Sequence, residues 1–109
     1  MRFDDLATLL LDWPHVEAGT SYGTPALKVK GKLLVRLRED DDSLVLFEIP
    51  PDEREMLIEA EPELFYFTDH YRNHPMILAR LSQADPDRLL PLVKRRYERL
   101  LAPKKRARR

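Results

Sequence analysis

The sequence predicts an α+β fold: a two-layer sandwich in which helices cover one face of an antiparallel sheet. Three observations carry this. Apolar residues recur at the helical period near both ends of the chain. Between them, apolar and polar side chains alternate on both sides of Lys30-Gly31, the pattern of a tight hairpin. Successive strands follow one another without crossover helices, which favours antiparallel pairing.

The chain has 109 residues, 43% of them hydrophobic, enough for one modest core. Residues 1–101 read as a single domain, and 102–109 as a basic tail expected to be disordered, since it has almost nothing to bury. No apolar run approaches the ~20 residues of a membrane helix. The N-terminus carries Asp4 and Asp5 and no cleavage site follows, so no leader is expected and a cytoplasmic location is. The absence of cysteine excludes disulfides, thiolate metal sites and a thiol nucleophile. Three glycines are too few for a glycine-rich phosphate loop.

Phe3, Leu6, Ala7, Leu10 and Trp13 form one apolar stripe, predicting a helix over 3–13 that Pro14 ends. Residues 17–22 predict a short strand. The stretch from Ala26 to Glu39 predicts the hairpin, with Leu27 and Val29, then Leu33, Val35 and Leu37, facing the helices. Asp40 to Asp42 predict an acidic turn, and residues 43–49 a further strand with Val45, Phe47 and Ile49 inward. After Pro50-Pro51, residues 52–60 predict a helix with Met56, Leu57 and Ala60 inward. Residues 76–81 predict the last strand, with Ile77, Ala79 and Leu81 inward. Asp85 caps a final helix at Pro86, whose stripe is Leu89, Leu90, Val93, Tyr97 and Leu100. Trp13, Phe47 and Tyr97 are expected in the core.

Three segments also resemble a known family: GTPALKVKGKLLVRL, FYFTDHYRNHPMILARL and RRYERLLAPKK. Together, over about Leu6 to Lys105, they are similar to the MmcQ/YjbR family of small bacterial proteins. The resemblance implies a frataxin-like (CyaY-like) fold, two helices on one side of an antiparallel sheet. It also implies DNA binding, through a proposed double-wing arrangement, and carries no catalytic motif. The fold type raises iron handling by carboxylates as a separate idea, for which Asp4, Asp5 and Asp12 are a sparse set.

The charges point the same way. From Lys94 onward nine Lys/Arg face one acid, Glu98, although the whole chain is neutral. Such a split suggests a tail that meets a polyanion; the plain alternative is that it pairs with the acidic body. Strand alternation places Lys28, Lys30, Arg36, Arg38 and Arg80 on the sheet face away from the helices, beside Leu34, Leu46, Met76, Leu78 and Glu48. These cations, with Lys32 in the hairpin turn and Lys104, Lys105, Arg106, Arg108 and Arg109 in the tail, are the candidate nucleic-acid contacts. The apolar strip on that face calls for a partner, so a homodimer or protein-interaction module is the alternative.

The stretch 64–81 is the place to seek small-molecule chemistry, although no ligand or cofactor is evident. His70 and His74 stand four apart with Asp69 beside them, a spacing that would suit zinc on a helix. Pro75 and Arg72-Asn73 argue for a turn instead, and no third ligand follows in sequence. Asp69, His70, Tyr71 and His74 are therefore read as a structural loop without metal. No acid–base pair is legible, and enzymatic activity is not expected.

Overall fold

The computed structural model describes residues 1–38 and 42–103. In order these are α1 (Phe3–Leu10), β1 (Val16–Ser21), β2 (Thr24–Val29), β3 (Lys32–Leu37), β4 (Ser43–Phe47) and α2 (Pro51–Ala60). There follow β5 (Phe65–Tyr66), a 3-10 turn (Asp69–Tyr71), β6 (Met76–Arg80), a second 3-10 turn (Leu81–Gln83) and α3 (Pro86–Leu101). The six strands form one antiparallel sheet in the order β1-β2-β3-β4-β6-β5. The α+β sandwich is thus as the sequence predicts, with a third helix beside the two terminal ones. The acidic turn lies outside the described residues except for Asp42, and so do Lys104 to Arg109.

Local chemistry explains most boundaries. Both tight hairpins have two central residues at positive φ, Tyr22 (54°) with Gly23 (79°) and Lys30 (54°) with Gly31 (81°). That geometry matches the right-handed twist of the flanking strands. The Asp85 carboxylate accepts from the Arg88 backbone N–H at 3.2 Å and Pro86 takes the first position of α3. The first helix ends at Leu10 rather than Trp13. Trp13 is half-buried and stacks on Tyr97 with ring centroids 4.8 Å apart.

The main core lies between the sheet and the helices. It joins Leu6 and Leu10 of α1, Leu27 and Val29 of β2, Leu44 and Leu46 of β4, and Leu89, Val93 and Tyr97 of α3. Here two predicted faces are corrected. In β4 the inward residues are Leu44 and Leu46, while Val45 and Phe47 point away from the helices. The run Leu44-Val45-Leu46-Phe47 is apolar throughout because both faces are covered, so alternation alone could not set its phase. In β3 the register slips opposite Leu27/Lys28, so Leu34 enters the core and Leu33 turns outward. A bulge of this kind shifts every side chain on one flank to the other face.

The inward side of α2 is also corrected. Met56 is 67% exposed and Ala60 is exposed. Leu57 and Ile58 pack on the core, and the buried residue of the helix is Arg54.

Candidate functional site

The sheet face away from the helices is not bare. Strand β5, which the sequence did not reveal, sends the chain back over β4 and β6 through the segment 67–75. Tyr71 packs there on Val45, Met76 and Leu78, with Phe47 and Tyr66 at the margins. Of the predicted apolar strip, Met76 and Leu78 thus find their partner in the same chain, while Leu34 and Leu46 face the helices instead. This removes the observation that motivated self-association through a bare face.

Arg54 holds that segment in place. Its guanidinium donates to the carbonyl oxygens of Tyr71 (3.2 Å), Arg72 (2.8 Å), His74 (2.9 Å) and Met76 (3.1 Å). The Phe67 ring lies 4.1 Å from the guanidinium carbon. The contacts offered to this buried guanidinium are carbonyl dipoles and an aromatic face.

Between this segment and the β1–β2 hairpin tip lies an open hollow of about 770 Å³. Its cations are Arg36 and Arg38, and its rim carries His70 and His74. Tyr22, Tyr71 and Phe47 supply aromatic walls over an apolar floor of Leu33 and Met76. Among the described residues no carboxylate lines it. Arg36 donates to the Tyr71 hydroxyl at 2.9 Å and lies 5.4 Å from the Tyr22 ring centroid. Among the described residues no carboxylate bridges Arg36. Arg38 donates to the Tyr66 hydroxyl at 3.4 Å.

The family comparison falls on this same frame. A family model described as YjbR matches residues 11–99. The chain belongs to the YjbR family. No curated protein and no solved structure matches it.

In this YjbR-family protein the predicted row of cations is broken up. Only Arg36 and Arg38 of the row line the hollow, and the loop residues His70, Tyr71 and His74 join them there. Lys28 faces the same side but has Glu17 as its cross-strand partner. Lys30 sits in the hairpin turn, and Lys32 pairs opposite Val29, on the helix side of the bulge. Arg80 stacks 4.0 Å from the Tyr66 ring and donates to the Pro62 and Glu63 carbonyls, both at 3.3 Å. Asp69 is exposed and bridges Arg72 rather than entering the hollow.

The basic last helix largely pairs with the acidic body. Arg95 forms a forked pair with Glu53, at 2.9 and 3.1 Å. Arg96 and Arg99 both grip Glu48. Burial pushes the Glu48 carboxyl up, but the hydrogen bonds and charges of the two arginines outweigh it, and its pKa is lowered. Arg96 also donates twice to the Leu33 carbonyl, at 3.1 and 2.7 Å, bracing the outward turn of β3.

Among the described residues no three His, Cys, Asp or Glu side chains gather as a metal site would require. No helix among them is long and apolar enough to cross a membrane. Two residues of the site escaped the sequence reading. Tyr22 reads as the end of a strand, although a tyrosine before glycine is also a turn position. Arg54 shares the helical spacing of Leu57 and Ile58, a signal that was available in the stripe.

Proposed function

We propose that this YjbR-family protein binds nucleic acid on the open side of its sheet, as a binding module and not an enzyme. The observation that carries this is the hollow itself: two arginines and two histidines line it, and among the described residues no carboxylate does. Such a set suits phosphate, since guanidinium groups fork onto phosphate oxygens. Arg36 holds the Tyr71 hydroxyl through one of its five donors, leaving others for a ligand. DNA is the expected polymer. The tail cations Lys104, Lys105, Arg106, Arg108 and Arg109 belong to the same proposal as added phosphate contacts.

Fluorescence anisotropy with duplex and single-stranded DNA across a salt series tests it. Affinity falls with salt by a slope of about −0.9 per phosphate contact on duplex and about −0.7 on single strands. Arg36→Gln lowers the affinity and flattens the slope by about one contact. No binding to either form at ~50 mM salt, where such contacts are strongest, defeats the proposal.

A further inference from the structure

We propose that the hollow receives one unpaired nucleotide of a single strand, its base against Tyr22 and its phosphate on Arg36. This rests on the nucleic-acid reading and names the form of polymer. Tyr22 is 86% exposed, the most exposed large hydrophobic side chain among the described residues. It stands at a hairpin tip, at positive φ, with the Arg36 guanidinium 5.4 Å from its ring centroid. An aromatic ring displayed beside an arginine is the arrangement on which unpaired bases stack.

The shape of the site favours one nucleotide over a duplex. About 770 Å³ is the size of a small-molecule pocket. Duplex bases are read by elements that project into a groove, and the major groove is about 12 Å wide. Here the cations are recessed. Arg36 lies on the body of β3, behind the tip, and the tip residues Tyr22 and Gly23 carry no charge. Leu33 and Met76 give the floor an apolar surface that a base can cover and a phosphate backbone cannot use.

Competition anisotropy on the full-length protein tests this. The probes are a labelled single-stranded oligonucleotide, the same sequence as duplex, and the same strand with abasic sites. The intact single strand is expected to bind roughly five- to hundredfold tighter than either other probe, the range of one stacked base. Tyr22→Ala removes that preference and Tyr22→Phe retains it. Equal affinity for all three probes, unchanged in Tyr22→Ala, overturns the unpaired-nucleotide site and leaves the nucleic-acid reading intact. Absence of binding to every probe overturns both. A free nucleoside monophosphate that competes as well as the oligonucleotide overturns the strand as the source of the nucleotide.

Discussion

Replacing Arg54 by Met keeps the length and much of the volume of the side chain but removes its donors. Four carbonyls then lose a charged partner, and two of these bonds, to Tyr71 and Met76, are buried. A hydrogen bond to a charged group contributes about 1.5–3 kcal/mol net of desolvation. Counting only the two buried bonds gives roughly 3–6 kcal/mol, and the exposed part of the segment can recover some of this from water. A loss of about 3 kcal/mol is therefore expected, a large part of a small domain's stability of about 5–15 kcal/mol. Urea unfolding followed by circular dichroism reads it as a midpoint shift of about 1–3 M, for slopes of about 1–3 kcal/mol/M. Arg54→Lys should recover little, because a single ammonium nitrogen cannot replace the two donor nitrogens that hold Arg72 and the other three carbonyls. A loss below about 0.5 kcal/mol, the level of an ordinary surface substitution, would refute the role assigned to this residue.

Other expectations follow from the same structure. Glu48 has a lowered pKa, so its stabilisation is present above the ordinary value near 4.5 and is lost as pH falls through the lower native value. Glu48→Gln should thus flatten the fall in stability between about pH 5 and pH 3, and an unchanged acid limb would contradict the pairing. Leu46→Ala should cost about 2–5 kcal/mol by calorimetry and more than Phe47→Ala, since Leu46 is 1% exposed and Phe47 is half-buried. The reverse ranking would restore the sequence-predicted face of β4. Deleting residues 104–109 should weaken DNA binding and reduce its salt slope while Arg36→Gln still weakens it further. Loss of all binding on that deletion would reduce the activity to the tail.

The helices, the Lys30-Gly31 hairpin and the architecture were legible because each rests on local chemistry. The 3.6-residue stripes, Asp85 before Pro86, and Gly31 in a two-residue turn need no distant partner to be read. The facing of β4 was not legible, because Leu44, Val45, Leu46 and Phe47 are all apolar and both sides of that strand are covered. The bulge in β3 exchanged Leu33 and Leu34 for a reason that lies across the sheet, in the register with β2 and the Arg96 contact. The site was half legible. Arg36, Arg38, His70, Tyr71 and His74 were named from the sequence, but as two separate groups. What joins them is the return of segment 67–75 over the sheet, fixed by Arg54, and only the fold reveals that contact.

The most direct test locates the bound strand on the molecule. Amide signals of the full-length, nitrogen-15-labelled protein are followed by NMR as a short single-stranded oligonucleotide is added at low salt. The account predicts shifts concentrated at Tyr22, Gly23, Arg36, Tyr71 and His74, around the hollow, and weakened by Arg36→Gln. Shifts confined to the outer face of α3, or no shifts at all, would contradict it.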